Sequence, residues 1–289
     1  MWDFSGDEVL FLVVAAVVAF VATVRWYYFV GRAKSFRPAP ARIVLAFLPL
    51  ALLIVLVTVL QTLADPVWVV GRLDYTLLFT AGGIAWMFAA ASAFALLGVS
   101  VRDDALERGN EAAMIVVAGG MAGVMLAYAG SNVGNGPTIW TTLLPALVGT
   151  LALFVAWGLL EALTDTAEAV TVERDVATGV RVGVFLACAG LIIGRAMAGD
   201  FYAWDDTFTE FAKLAWPVAA LVCVMIVLHH FMRPTVARPI PSVVAAGLVP
   251  AAAIVAITVG YVLALGMPEV APAGKYEDPS SPQNVERTS

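Results

Sequence analysis

Glu161, Arg181 and Arg195 stand within long apolar stretches of a 289-residue chain that is 61% hydrophobic and only 13% charged. Ionisable groups inside a bilayer are costly, which makes each a candidate for function. One carboxylate and two guanidiniums on neighbouring helices would line a polar route for a small solute or ion. Depth supplies a second reading. With Cys188 taken as the middle of its helix, each arginine lies seven residues away, roughly 10 Å along the axis, inside a half-thickness of about 15 Å. Long arginine stems reach headgroups from there, so both also read as interface anchors.

Further charges gather around these three. Glu161, Asp165 and Glu168 follow an i, i+4, i+7 spacing that shares one face if the helix continues through them. Arg174 and Arg181 share a face at the start of the next helix, so the two faces either zip the mouth of a hairpin or form a vestibule that attracts cations. The short charged loops at Glu107-Arg108 and Glu173-Arg174 are candidates for contact with a cytoplasmic protein. His229-His230 could relay protons or bind metal, but adjacent residues do not share a helix face and no other Cys or His lies near in sequence. No phosphate-binding glycine loop, nucleophile elbow, zinc-protease motif or Cys-x-x-Cys pair is present. The expectation is a non-enzyme without metal or cofactor and with no nucleic-acid partner; the lipid bilayer, a second copy of the chain, or another membrane or cytoplasmic protein are the partner classes.

The elements that must position these groups are legible from composition. Eight apolar blocks, at about 8–30, 42–64, 76–98, 111–130, 138–162, 176–198, 210–231 and 240–266, approach or exceed the ~20 residues that cross a bilayer as helix. The predicted fold class is all-α, a polytopic membrane helix bundle formed by one transmembrane domain over residues 1–266. A Pro-, Ser- and Glu-containing tail, 267–289, has too little apolar surface to order itself. The acidic start, Met1-Trp2-Asp3, followed by an apolar run long enough to span, differs from a cleavable secretory signal. Cys188 and Cys223 fall inside spans, where they read as small apolar groups. Trp2, Trp26, Trp68, Trp140 and Trp204 fall near helix ends, as interface aromatics do. Lys and Arg concentrate in alternate connections: Arg32, Lys34, Arg37 and Arg42; Arg102 and Arg108; Arg174 and Arg181; Arg233 and Arg238. The positive-inside rule places those loops in the cytoplasm and both termini outside.

Within this bundle the sequence carries an echo at a shift of 71, between copies at about 76–130 and 138–200. Ala85-Trp86 falls on Ala156-Trp157, and Gly119 with Gly123 falls on Gly190 with Gly194. Small residues four apart let membrane helices approach closely, so these four glycines, with Trp86 and Trp157 as wedges, are the expected packing residues of a parallel internal repeat. The same shift sets Arg181 against Asn110. Asn110 and Glu111 would then hold the related place on the polar route. The outer pairs, 8–64 and 210–266, do not share the glycine frame.

Gly109-Asn110-Glu111-Ala112-Ala113, five residues, then Gly119 and Gly123, preceded by Glu107-Arg108, resembles the domain of unknown function 350 family over residues 76–200. The second copy departs from it with Val180 and Arg181. The resemblance implies a bacterial, cytoplasmic-membrane protein made of paired-helix units, and implies no chemistry. Two functions fit the sequence: passage of a small solute or ion, or a membrane scaffold or accessory subunit that binds a cytoplasmic partner.

Overall fold

The computed structural model describes residues 4–32, 40–235 and 242–268. Trp2, Lys34, Arg37, Arg238 and the tail from 269 onward lie outside the described residues. The protein is 82% helical, and its long helices are α1 (Gly6–Arg32), α2 (Pro40–Thr62), α3 (Leu73–Ala93), α4 (Glu111–Gly130), α5 (Trp140–Thr164), α7 (Val176–Met197), α8 (Trp204–Met232) and α9 (Val249–Leu265). Eight segments are long and apolar enough to cross a membrane, α3 being extended to Leu97 and α9 beginning at Val243. A one-and-a-half-turn helix, α6 (Thr166–Thr171), joins α5 to α7.

All eight spans follow from apolar length, but the breaks between them do not. A π-helical turn, Val101–Glu107, leads into α4, and a second, Val243–Leu248, leads into α9. The Glu161, Asp165, Glu168 series does not share a continuous helix. α5 stops at Thr164 and Asp165 takes a left-handed φ of 53°, which turns the chain into α6. Charge spacing reports a shared face only while helical dihedrals persist.

α4 and α7 form the centre, with 78% of each membrane window buried, against 17% for α1 and 22% for α8 and α9. The peripheral helices leave large apolar side chains such as Leu10, Phe20, Phe47, Phe231 and Leu263 exposed, as lipid-facing surface requires. Both central helices start at the end of the bundle that carries Arg102, Arg108 and Arg174 and run to the end that carries Asp7, Asp65 and Asp200. They pack backbone against backbone. A Cβ on Gly119 would run into the carbonyl of Gly183, on Gly123 into that of Leu186, on Gly190 into that of Gly123, and on Gly194 into that of Leu126. With little hydrophobic force between helices in lipid, such close approach supplies the van der Waals contact that holds them.

The two helices begin alike. Asn110 caps α4, its Oδ1 accepting from the N–H groups of Ala112 and Ala113 at 3.0 and 3.3 Å; Asp175 caps α7, accepting from Ala177 and Thr178 at 3.1 and 3.0 Å. Gly109 and Arg174, the residues just before, both have left-handed φ, 57° and 56°. At the far ends Asp200 accepts from the N–H of Asn135, a separation of 65 residues. The caps Asn110 and Asp175 thus stand 65 residues apart, whereas the glycine echo has a spacing of 71, and Arg181 lies six residues beyond the cap of α7. Glycines spaced a turn apart match at several shifts, whereas caps match at one.

Polar ring atoms of the spans find carbonyls. Trp26 Nε1 donates to Leu45 at 2.9 Å, Tyr128 Oη to Phe79 at 3.0 Å and Tyr261 Oη to Leu214 at 2.8 Å. Trp26 is thus a buried α1–α2 tie and not an interface aromatic. Trp157 is buried against Phe94, ring centroids 5.1 Å apart, and the half-buried Trp86 donates to Thr150 Oγ1 at 2.9 Å.

Candidate functional site

At the acidic end, four separate turns enclose a cavity of about 800 Å³. The start of α1 supplies Asp7 and Glu8, the turn after α2 supplies Asp65 and Trp68, the start of α3 supplies Tyr75, and the turn after α4 supplies Asn132. Each acidic group is held by neutral donors. Asp65, buried, accepts from the N–H groups of Val67 and Trp68 at 2.6 and 3.0 Å. Glu8 accepts from Tyr75 Oη at 3.1 Å and from the Ser5 N–H at 2.7 Å, and Asp7 from Trp140 Nε1 at 3.2 Å. Among the described residues, no lysine or arginine lines this cavity. Arg72 lies over the rings of Trp68 and Tyr75 and pairs with Asp74 at 2.6 Å.

A second cavity, of about 670 Å³, opens at the arginine-rich end between the same two helices, α1 and α3. Its walls are mainly apolar, from Val17, Val21, Trp26 and Phe88, and Arg25 and Arg102 stand at its mouth, each over the ring of Phe29 at 5.4 and 5.0 Å. Glu107 bonds Arg102 at 2.8 Å and holds that guanidinium above its ordinary pKa. Between the cavities the α1–α3 seam is shut. Phe11 of α1 lies against Gly82 so closely that a Cβ there would meet its ring at 2.7 Å and Tyr128 Oη at 2.6 Å. A small residue at position 82 is what admits the aromatic.

The charged residues singled out by sequence sit apart from this seam and from one another. Glu161 Oε2 accepts from Thr166 Oγ1 and the Ala167 N–H at 2.8 and 2.7 Å, holding the first turn of α6. Arg181 is fully buried; it donates to Thr178 Oγ1 at 2.8 Å and to the carbonyl of Ala246 in the π-helical turn before α9. It neither reaches a headgroup nor pairs with the acidic face of α5, so the expected zipper between those faces is not formed. Arg195, at the other end of α7, donates to the Gly266 carbonyl at 2.8 Å. Asn110 is buried, and besides capping α4 it donates to Val170 at 2.7 Å, tying α4 to α6. Glu111 is exposed in the first turn of α4. Neither cavity is lined by any of these five.

Of the loop candidates, Glu107, Arg108, Glu173 and Arg174 are all exposed, and Arg108 pairs with the buried Asp104 at 2.7 Å. His229 is buried and His230 exposed. Among the described residues no three His, Cys, Asp or Glu side chains stand close enough to hold a metal ion. Asp65, Asn132 and Glu8 were not apparent from the sequence because the cavity draws on turns far apart in the chain, with 57 residues from Glu8 to Asp65 and 67 from Asp65 to Asn132. The available signal was the presence of buried-type turn carboxamides, Asn132 and Asn135, in an uncharged connection.

No curated protein and no solved structure matches the chain. Residues 67–197, which run from the turn after α2 to the end of α7 and so contain α3, the central α4–α7 contact and Asn110, match one family. That family is described as a Domain of Unknown Function (DUF350), and it is this segment of the chain that is similar to it.

Proposed function

We propose that the protein passes a small solute across the membrane along the α1–α3 seam. The observation that carries this reading is the pair of cavities at opposite ends of one helix pair, with Phe11 packed on Gly82 in the seam between them. Small-molecule sites favour clefts between helices of a bundle, and the α1–α3 seam lies outside the central α4–α7 contact. The positive-inside rule places the arginine-rich end in the cytoplasm of a bacterial cell and the acidic cavity outside. If α3–α4 and α5–α7 are related units, as their matching caps suggest, α1 breaks that relation by covering α3 alone and confines the route to one side.

The test is flux through purified protein in liposomes. Phe11→Ala should raise the permeation of methylammonium and similarly small solutes above that of wild type, with the protein still folded. Permeation unchanged by Phe11→Ala would overturn the reading.

A second reading, a scaffold for a cytoplasmic partner, draws on Arg174. It is exposed, and its φ of 56° belongs to the turn that closes α6, where the Asp175 N–H bonds the Ala169 carbonyl at 2.9 Å, so the side chain is carried outward on a defined turn. Charge reversal at Glu173 and Arg174 would release a co-purifying partner on this reading, and retention of the same partners would sink it.

A further inference from the structure

We infer that the cavity at the acidic end is a binding site for a primary alkylammonium ion. The inference deepens the passage reading and rests on it for what happens after binding, though not for the binding itself. Asp7, Glu8 and Asp65 bring three carboxylates to a lining that, among the described residues, holds no lysine or arginine. Their hydrogen-bond partners are backbone N–H groups, a phenol and an indole, which fix the carboxylates in position without neutralising them. Arg72, the nearest guanidinium in sequence, pairs with Asp74 and lies over the rings of Trp68 and Tyr75.

A second observation points to a ligand with hydrogen-bond donors. Asn132 is 5% exposed and lines the same cavity; its Nδ2 donates to the Tyr128 carbonyl at 2.7 Å, while its Oδ1 has no hydrogen-bond partner. An unmet buried acceptor is costly, and Asn132 shares its cavity with carboxylates that can likewise only accept. An ammonium group has three donors and no acceptor, so it complements both.

The walls separate an organic cation from a metal ion. The carboxylates do not converge into a cluster able to hold a metal, whereas Trp68, Tyr75 and Phe79 present apolar and π surface to the same space. Methylene groups pack on such surface and a cation is drawn to ring faces. The volume, about 800 Å³, leaves room for an alkyl chain as well as for its charged head.

The experiment is equilibrium binding of n-butylammonium to the full chain in detergent or nanodiscs, by calorimetry and by the fluorescence of the tryptophans, with n-butanol and Mg²⁺ as comparison probes. Saturable binding of n-butylammonium but not of n-butanol is expected. Glu8→Gln and Asp65→Asn should each weaken it by about tenfold, the loss of one charge-assisted contact. Asp65→Asn keeps the Oδ1 acceptor for the turn, and Asp205→Asn, outside the cavity, should leave binding unchanged. Equal affinity for n-butanol, preference for Mg²⁺, undiminished binding by both variants, or no saturable binding would each overturn the assignment. Binding without flux in liposomes would overturn the passage reading and leave the site standing; Phe11→Ala permeation without n-butylammonium binding would do the reverse.

Discussion

Arg181 is a cation with no exposed surface, bonded to a threonine hydroxyl and a backbone carbonyl, and with its Nε lacking a hydrogen-bond partner. Thr178 in turn donates to Asp175 at 2.5 Å, so the cap of α7 and the arginine form one polar string that ends on the turn before α9. The carbonyl of Ala246 belongs to a π-helical turn and depends on this donor. Arg181→Met should therefore destabilise the protein by about 1–3 kcal/mol, the cost of an unmet buried acceptor, seen as a lower unfolding temperature in detergent. Arg181→Lys, with a point charge in place of a planar fork, should fall between the two, and a methionine variant as stable as wild type would show that the string is not a structural tie. Asn110 works similarly. Asn110→Ala removes the cap, about 1 kcal/mol, and also the bond to Val170, so it should cost more than Asn110→Asp, which keeps the acceptor and loses only the amide donor. Equal stability of the two variants would rule out the bond to Val170 as a contributor.

At the scale of elements, the glycines divide by what surrounds them. Gly119 and Gly190 face the backbone of the opposing helix, which cannot step aside as a side chain can, while Gly260 on α9 has open space around its Cα. Gly119→Ala and Gly190→Ala should each force α4 and α7 apart and lose about 1–3 kcal/mol, as overpacking does. Gly260→Ala should hold or raise stability, since alanine is the better helix former by about 1 kcal/mol. Comparable losses at all three positions would mean that the central contact is not what the glycines serve. The contrast also marks what could be read from sequence. Eight spans were legible because apolar length alone determines them, and the small residues of α4 and α7 were legible as packing positions by type. Their register was not, because glycine and alanine recur at many shifts, while the features that set it are single residues at helix starts: Asn110, Asp175, and the left-handed Gly109 and Arg174. The break at Asp165 escaped for the same reason, since a carboxylate at helical spacing says nothing of its own φ. Arg174→Gly follows from this and should stabilise the start of α7 by up to about 1–2 kcal/mol, the strain of a left-handed side-chain-bearing residue, measured by thermal unfolding. A loss instead would mean that the Arg174 side chain makes a contact worth more than its strain.

Across the whole molecule, charge and burial run in different directions. Burial falls outward from α4 and α7 to α1, α8 and α9, as a bundle immersed in lipid requires, whereas basic residues sort along the axis, with Arg25, Arg32, Arg102, Arg108, Arg174 and Arg233 towards one end and, among the described residues, Arg72, Arg195 and Lys213 towards the other, while carboxylates stand at both ends. Radial sorting fixes which helices form the core but leaves either end free to face the cytoplasm; axial sorting supports the proposed orientation, because basic loops resist translocation. The ends are then distinguishable by access. In a background where Cys188 and Cys223 are replaced by serine or alanine, single cysteines at Ser5 and Asp205 should react with a membrane-impermeant maleimide on intact cells, and cysteines at Glu107 and Glu173 only after permeabilisation. All four positions are exposed, so unequal labelling reports the side of the membrane and not burial. The opposite pattern would turn the acidic cavity towards the cytoplasm, where a solute would be loaded for export, and would leave the two cavities and their aromatic closure in place while reversing the direction in which the seam is read.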